Sequence, residues 1–367
     1  MRAYLDHAST SPLRPDALRA VVDWWSRRDV GDPGRLHTEG MVARAALEEA
    51  RERVAARLGA RPREVVFTSG ATESIAMACY GAAEGRGRHS VLAAVEHSAV
   101  RDTAGRGPTT TLVVDDRGRL DTSAVAGAII ADTGVVHCQW GNHEVGTLQP
   151  VRDVVEAVDG RTLVHVDAAV AVGHDAIRFA DSGIDLLSVS SHKFGGPPGV
   201  GALLVRRGQR LPPLLVGGDQ ERARRGGMEN VAGVLGFAAA LDEIDVEADA
   251  ARSRAFTERV IDWAEGADGV AVYGDPVARL PHIVCLGIEG IEPQPVLLGL
   301  DRAGVAVHSG SSCSTESLEP SPVLDAMGVD GQRSLRVSVG WSTTDADIDL
   351  LLDALPEVIA QLRSLRT

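Results

Sequence analysis

Residues 188–199 read SVSSHKFGGPPG, and Lys193 within this stretch is the only lysine of the chain. Lysine and arginine together number 37, so the remaining 36 are arginine. Arginine replaces lysine well as a surface charge, but only an amine can lose its proton and form a Schiff base. Lys193 also follows the apolar run 186–189, and a residue just past the carboxyl end of a strand faces the ligand crevice of an open α/β sheet. Residue type and position therefore both predict a catalytic amine.

The order of apolar runs predicts the fold class. Short runs at 65–67, 90–95, 135–140, 162–166, 186–189 and 201–205 alternate with helical stretches such as 43–58, which indicates a mostly parallel sheet covered by helices. After about residue 242 the pattern changes to a long charged helical stretch, 242–265, with short strands near 270–273, 282–286 and 335–339 and a final helix from about 345. We expect an α/β fold with a large domain over 15–245 and a smaller α+β domain formed by 1–14 and 246–367.

Composition excludes several classes of partner. The net charge of −14 argues against binding to nucleic acid or acidic membranes. No apolar run approaches the roughly 20 residues of a membrane span, and the opening MRAYLDHAST lacks the apolar core of a signal peptide. The four cysteines are Cys79, Cys138, Cys285 and Cys313. Their wide spacing fits a reducing cytoplasm and offers no metal site.

Three further strand ends carry polar residues. Asp167, in TLVHVDAAV, either caps the next helix or pairs with a buried cation such as a pyridinium nitrogen. Small residues around Ala71 and Thr72 let backbone N–H groups approach an anion at a helix N-terminus. His97 is either a core histidine or a ring that stacks on a planar ligand and passes protons. Together with the Lys193 amine, this set matches pyridoxal 5′-phosphate (PLP).

Longer motifs make the match specific. In chain order they are YLDHAST, VVFTSGATES, VEHSAV, NHEVGTLQP, HVDAA, SSHKFGGPPGVGAL, GGDQERARRGGMENVAG, SGSSCSTESLEPSPVLDAMG and SLRVSVG. Nearly end to end, the chain resembles cysteine desulfurases of the NifS/IscS type, in the class V aminotransferase branch of fold-type I PLP enzymes. The resemblance implies a fold-type I PLP transferase with a mostly parallel seven-stranded sheet, acting as a homodimer.

Cys313 lies in the Gly- and Ser-rich stretch HSGSSCSTESLEPS, which is typical of an exposed loop. Ser321 and Pro322 predict the cap and first turn of the next helix, and Gly328 its end. By resemblance, Cys313 attacks the sulfur of L-cysteine, keeps it as a persulfide and delivers it to an acceptor protein, while alanine leaves. The longer form of the loop, typical of the IscS-like group, suits this delivery.

The resemblance also implies roles for the other site residues. The catalytic residues are Lys193, Cys313 and His97. The cofactor-binding residues are Ala71, Thr72, His97, Asn142, His143, Asp167, Ser190, His192 and Lys193, and the substrate-binding residues are Arg336 and Asn142. In this scheme Lys193 removes the Cα proton, Asp167 faces the protonated ring nitrogen, and Arg336 holds the substrate carboxylate through a bidentate pair.

Three positions depart from the family pattern. His143 stands where the family has an asparagine near the ring hydroxyl, and Val170 where it has a glutamine that bonds the same group. Met228 replaces a threonine that reaches a phosphate across the dimer interface. We hypothesise that His143 takes over the bond that Val170 cannot make. Because Met228 cannot donate, we expect phosphate anchoring to weaken by up to about 1–3 kcal/mol.

Two rival functions remain open at this point. A related PLP enzyme, an aminotransferase or a selenocysteine lyase, would not depend on Cys313. A non-catalytic sulfur-relay or scaffold protein would keep the fold without cofactor or alanine release. The pathway that receives the sulfur is also open: iron–sulfur clusters, tRNA thiolation, DNA phosphorothioation or a thio-natural product.

Overall fold

The computed structural model of the chain describes residues 2–310 and 320–365. The strands are β1 (Ala3–Tyr4), β2 (Val65–Thr68), β3 (His89–Ala93), β4 (Thr109–Leu112), β5 (Thr133–Gln139), β6 (Leu163–Asp167), β7 (Leu186–Ser190), β8 (Gly201–Val205), β9 (Val270–Tyr273), β10 (Ile283–Ile288), β11 (Val305–Ala306) and β12 (Ser334–Ser338). The helices are α1 (Pro15–Ser26), α2 (Thr38–Arg57), α3 (Ala71–Gly85), α4 (Ser98–Ala104), α5 (Val125–Ala128), α6 (Val151–Val158), α7 (Gln220–Ala223), α8 (Val231–Asp242), α9 (Val246–Glu265), α10 (Pro293–Arg302), α11 (Pro322–Ala326) and α12 (Asp345–Ser364).

Seven strands form the central sheet in the order β2-β8-β7-β6-β5-β3-β4. Strand β8 runs antiparallel to β2 and β7, and the other neighbours pair in parallel. The carboxyl ends of β2, β3, β5, β6 and β7 therefore meet at one edge of the sheet, where ligands bind in open α/β folds. In register, Asp167 at the end of β6 lies between Gln139 of β5 and Ser188 of β7.

The remaining strands lie outside this sheet. Strands β12, β10 and β9 form an antiparallel three-stranded sheet, whose apolar face packs against α9, α10 and α12 in a core of its own. The start of the chain joins this part, because β1 pairs in parallel with β11, with Ala3 opposite Val305. Ser338 of β12 then donates its N–H to the carbonyl of Leu5. The division into a 15–245 domain and a 1–14 plus 246–367 domain remains a prediction.

Strands β1, β4 and β11 were not predicted, and one predicted helix is divided in two. Strand β4 was absent from the predicted set because Leu112 is its one buried residue and its threonines are exposed or half-buried. The predicted continuous helix over 242–265 is wrong at its start. Helix α8 ends at Asp242, and α9 begins at Val246 after Asp245, whose side chain accepts a hydrogen bond from the N–H of Ala248. An aspartate that caps a helix in this way marks a new N-terminus.

The predicted limits of the helix after the Cys313 region are confirmed. The Ser321 hydroxyl accepts a hydrogen bond from the N–H of Leu324 at 3.2 Å, and Pro322 occupies the first helical position of α11. Gly328 follows this helix with φ of 71°, the left-handed conformation that glycine adopts freely. Within residues 2–310 and 320–365, no helix combines the length and the apolar character that crossing a membrane requires.

The close approach of β8 to the turn after β2 gives a test of the packing. A Cβ at Gly201 would lie against the carbonyl oxygen of Val189 and 2.6 Å from Cα of Gly70. We expect Gly201→Ala to lower the free energy of unfolding by about 1–3 kcal/mol, the usual cost of overpacking, as measured by urea denaturation. Gly127→Ala is the matched control, because nothing lies within 4 Å of its Cβ. Equal stability of the two variants would contradict this packing.

Candidate active site

The carboxyl edge of the central sheet borders a cavity of about 470 Å³. The predicted site residues that line it are Ala71, Thr72, His97, His143, Asp167, Ser190, His192, Lys193 and Arg336. Ala8 and Ser9 of the N-terminal segment and His308 line it as well. Residues from both ends of the chain and from five strand ends of the sheet therefore share one site.

The Lys193 amine is buried in this cavity. A single turn, Ser191–Lys193, follows β7 and carries the side chain. Its Nζ donates hydrogen bonds to the carbonyl oxygens of Ala8 at 2.7 Å and Ser9 at 3.0 Å. Burial and the positive charge of Arg336 lower the pKa of Lys193 to about 8, against the opposing attraction of carboxylates. The amine therefore has a substantial uncharged fraction near neutral pH, as a nucleophile or base needs.

Two carboxyl groups lie beneath the cavity. Asp167 ends β6, and its Oδ1 accepts the N–H of Ala169 at 2.9 Å. Burial raises the pKa of Asp167, while His97 and Lys193 oppose the rise. The neighbouring Glu96 accepts the N–H of Gln139 at 2.7 Å, and burial together with the charge of Asp167 raises the pKa of Glu96 to about 8. At pH 7 the proton therefore resides on Glu96, which leaves Asp167 as the acid that can carry the negative charge.

His97 follows β3 and caps helix α4. Its Nδ1 accepts the N–H of Ala99 at 3.0 Å, so the proton of the neutral ring is assigned to Nε2. Burial lowers the pKa of His97. The ring meets His143 edge to face, with centroids 4.9 Å apart and planes at 71°. Two neutral imidazoles therefore form one wall of the cavity beside Asp167.

The N-terminus of α3 offers a cradle for an anion. Ala71 and Thr72 occupy its first turn, whose N–H groups have no partner inside the helix. Gly70 before them has φ of 154°, and a Cβ added there would lie 3.8 Å from the Ser190 hydroxyl. His192 approaches the same region, with Nδ1 3.2 Å from the Thr10 hydroxyl. Small residues, helix N–H groups and a hydroxyl thus converge on one point, as phosphate sites require.

Arg336 of β12 closes the cavity from the side of the small sheet. Its Nη1 donates to the carbonyl of His143 at 2.8 Å, and its Nη2 to Asp6 at 2.9 Å and to the Ser9 hydroxyl at 2.7 Å. The side chain is 2% exposed. Its Nε has no hydrogen-bond partner among the described residues. A fixed, partly unpaired guanidinium of this kind suits a carboxylate.

Asn142 lies just outside the cavity lining. Its Oδ1 accepts the N–H groups of Glu144 and Val145, each at 2.8 Å, and its Nδ2 donates to the carbonyl of Val95 at 3.2 Å. The residue is fully buried, and its amide holds the turn that presents His143. The predicted contacts of Asn142 with cofactor and substrate stay a prediction.

Several residues that line the cavity or contact its lining escaped the sequence reasoning. Asp6 and Ser9 lie in the quoted motif YLDHAST, but no spacing rule links an N-terminal motif to Arg336. Glu96 precedes His97 directly and reads as an ordinary charged residue. His308 opens the motif that contains Cys313, and its Nδ1 accepts the N–H of Gly310 at 3.0 Å. An unexplained histidine in a recognised motif was the one signal available.

The remaining predicted positions have mixed outcomes. Cys313 lies outside the described residues. Val170 is buried and lines the cavity beside His143, so the hypothesis that His143 replaces a lost ring-hydroxyl contact stays a prediction. Met228 is 62% exposed, as a residue that faces a second copy of the chain would be.

Comparison with known proteins fits this geometry. Residues 3–351 match the family described as Aminotransferase class-V. The chain belongs to this family. It is 36% identical to "Cysteine desulfurase IscS 1" of Archaeoglobus fulgidus, over 99% of this chain and 98% of that protein. A solved "NifS-like protein" superposes with a TM-score of 0.91 at 31% identity, covering 98% of this chain and 100% of the other. A structure described as "SspA in complex with cysteine" gives a TM-score of 0.82 at 29% identity, covering 93% and 100%.

These similarities confirm the predicted fold class, a fold-type I PLP transferase built on a mainly parallel seven-stranded sheet. The family uses PLP, and the cavity fits that cofactor. The cradle at α3 suits a phosphate, and the buried Asp167 suits a pyridinium nitrogen. Lys193 supplies the amine that an aldehyde requires.

The lowered pKa of Lys193 predicts how cofactor uptake depends on pH. With a pKa of about 8, the uncharged fraction of the amine rises about tenfold between pH 7 and pH 9. We expect the rate of PLP uptake by the apo-protein, followed by absorbance, to rise with a midpoint near pH 8. Free N-acetyl-lysine under the same conditions is the control, because its amine titrates above pH 10. A protein midpoint as high as that of the control would contradict the burial of Lys193.

Proposed function

We propose that this protein is a PLP-dependent cysteine desulfurase that converts L-cysteine to L-alanine and leaves the sulfur as a persulfide on Cys313. The observation that carries the proposal is the buried amine of Lys193, with its pKa lowered to about 8, in one cavity with Asp167 and Arg336. The relatives support the substrate, since one is named a cysteine desulfurase and a similar structure is described as a complex with cysteine.

When bound, PLP supplies the electron sink that lets a carbon–hydrogen bond at Cα of an amino acid break. Asp167 pairs with the ring nitrogen and keeps it protonated, so that the sink is effective. Lys193 Nζ takes the proton from Cα, because its pKa of about 8 makes it a base near neutral pH. The carbonyl oxygens of Ala8 and Ser9 orient this amine through their hydrogen bonds. His97 lines the same cavity, and its Nε2–H would be available to pass a proton to or from a bound substrate.

Arg336 binds the carboxylate of L-cysteine. Its Nη groups are already oriented by Asp6, Ser9 and the carbonyl of His143, so little conformational entropy is lost on binding. The Asp6 carboxylate partly neutralises the guanidinium charge of Arg336 when no substrate is bound.

The sulfur step balances without another reagent. The Cys313 thiolate attacks Sγ of the bound substrate, and a sulfur–sulfur bond forms while the Cβ–Sγ bond breaks. The electron pair of the broken bond passes to carbon, which takes up a proton and leaves as alanine. Cys313 retains the sulfur as a persulfide for a thiol of an acceptor protein. The scattered cysteines, the three described ones being free, support a cytoplasmic location for this chemistry.

A homodimer is part of the proposal. Leu18, Val22 and Trp25 follow one face of α1 at helical spacing and are each at least half exposed, Trp25 at 64%. Leu36 and Met41 add exposed apolar area after the same helix. A contiguous apolar face of this kind is unfavourable in water and typical of an interface. A second copy of this chain is its natural partner, because the family position of Met228 is one that reaches across a dimer.

The catalytic assignment predicts opposite behaviour for two variants. Lys193→Arg keeps the positive charge but cannot bind the aldehyde, so we expect loss of both cofactor absorbance and alanine release. Cys313→Ser keeps the cofactor absorbance and loses the protein persulfide. Absorbance spectra measure the bound cofactor. After incubation with L-cysteine, an alanine assay measures turnover, and mass spectrometry maps the protein persulfide. Cys79→Ala is the control, because that thiol is buried.

Each rival function has its own result in the same assay. Full turnover by Cys313→Ser would favour an aminotransferase or a selenocysteine lyase. A wild-type protein with no cofactor absorbance and no alanine would favour a non-catalytic sulfur relay. Alanine release by Lys193→Arg would contradict the role given to the single lysine.

The apolar face of α1 predicts the oligomeric state. We expect sedimentation velocity to give a dimer for the wild type and a monomer for the double variant Val22→Asp/Trp25→Asp, because two buried charges would be unpaired at the interface. Leu298→Asp is the matched control, since Leu298 is also 62% exposed but lies on α10. A monomeric wild type, or a dimeric double variant, would reject this interface.

A further inference from the structure

An ion pair lies at the rim of the cavity, beside the α3 cradle. Arg225 donates from Nε to Glu73 Oε1 at 2.8 Å and from Nη2 to Glu73 Oε2 at 3.2 Å. The two side chains are only 21% and 11% exposed. Glu73 lines the cavity and is the third residue of α3, in the same turn as Ala71 and Thr72. None of the roles given above to site residues uses this pair.

The position of Glu73 has an electrostatic disadvantage. A helix N-terminus favours one negative charge close to it. A phosphate in the cradle and the Glu73 carboxylate would compete for the same helix N-terminus and repel each other. A carboxylate at the rim of an anion site is therefore unfavourable unless a cation neutralises it.

The structure also indicates why a carboxylate is present at all. Glu73 Oε2 accepts the N–H of Ser69 at 2.8 Å. Ser69 immediately precedes Gly70, whose φ of 154° shapes the cradle. The Glu73 side chain thus fixes the turn that brings backbone N–H groups to the anion. The Glu73 side chain therefore stabilises the conformation of the turn, but it also places a negative charge next to the anion site.

The loop that carries Arg225 holds this side chain against Glu73, where it can neutralise the carboxylate. Its loop follows α7, a turn in which Glu221 and Arg222 have φ of 48° and 58°. Glu221 forms a buried bidentate pair with Arg51, with both contacts at 2.7 Å. Glu221 also accepts the N–H of Phe67 at 2.9 Å, and Phe67 belongs to β2, the strand that leads into the cradle. The loop that carries Arg225 is therefore anchored to the same strand as the phosphate turn.

We propose that Arg225 is a positioning residue for the cofactor phosphate, which acts by neutralising Glu73 rather than by contacting the phosphate itself. The proposal rests on the assignment of the α3 N-terminus as the phosphate cradle. Glu73 sets the geometry of the turn, and Arg225 cancels the charge that this geometry brings. The pair leaves the helix N-terminus available to a dianion.

A charge cycle tests this role on the full-length apo-protein. The variants are Arg225→Gln, Glu73→Gln and the double variant, in which glutamine keeps the size of Glu73 and one oxygen that can accept the N–H of Ser69. The readouts are the dissociation constant for PLP by absorbance or fluorescence titration and the inhibition of PLP uptake by inorganic phosphate, which reports on the cradle alone. Thermal melting of each apo-protein detects any folding defect.

The expected change in affinity for PLP and phosphate depends on which charge of the pair is removed. Arg225→Gln weakens the binding of PLP and phosphate by about tenfold, because Glu73 is then uncompensated. Glu73→Gln leaves binding unchanged or tighter, and the double variant returns to within about threefold of wild type because no net charge remains. Arg225→Lys, which keeps the charge and loses the bidentate geometry, restores most of the affinity. Arg222→Gln is the matched control, because Arg222 precedes Arg225 by three residues and pairs with Glu48 of α2 instead of Glu73.

Other results overturn the proposal in separate ways. A double variant as weak as Arg225→Gln would mean that Arg225 itself binds the phosphate. Unchanged affinity in Arg225→Gln would mean that the pair has no influence on the cradle, with the proposed function intact. A wild-type protein that binds neither PLP nor phosphate would instead reject the cradle and the proposed function together.

Discussion

Parallel pairing of β6 with β5 and with β7 sets where the polar groups of the cavity lie. Because neighbouring strands run in the same direction, their last residues, Asp167 among them, reach one edge together. The segments after β3, β5 and β7 then carry His97, His143 and Lys193. The antiparallel β8 then places its first residue, Gly201, against the turn at Gly70. The position of the phosphate cradle relative to Lys193 thus follows from strand direction and from one missing side chain.

Burial acts on the charged groups of this edge in opposite directions. It lowers the pKa of Lys193 and raises those of Asp167 and Glu96. The lowered pKa prepares the Lys193 amine for proton transfer. Glu96 is protonated at neutral pH and therefore does not repel a negative charge on Asp167. The two imidazoles beside them are also kept neutral. A hydrated pocket with the same residues would lose these shifts, so the tight packing beneath the sheet edge is part of the chemistry.

The sequence alone predicted the features that depend on local pattern. Buried strands were visible as apolar runs, and Asp167 and Lys193 were visible as polar residues at their ends. Strand β4 was missed because Leu112 is its one buried residue and its threonines are exposed or half-buried. The break before α9 was missed because Asp245 resembled one more charged residue in a charged helix. No sequence pattern shows that the N–H groups of Glu144 and Val145 use the amide of Asn142. Two partners of Arg336, Asp6 and Ser9, lie more than 300 positions away in the chain, and only folding brings them together.

The pairing of β1 with β11 has a consequence for the order in which the chain is made. Ala8 and Ser9 orient the Lys193 amine, yet the segment that carries them is held by a strand near residue 305 and by Ser338. When the ribosome has completed the central sheet, Ala8 and Ser9 already exist, but β11 and Ser338, which hold their segment, have not yet been made. The N-terminal segment can therefore take its final position only after residues near the end of the chain have been synthesised. In a truncated or stalled chain, the carbonyl groups that orient the Lys193 amine would lack these two anchors.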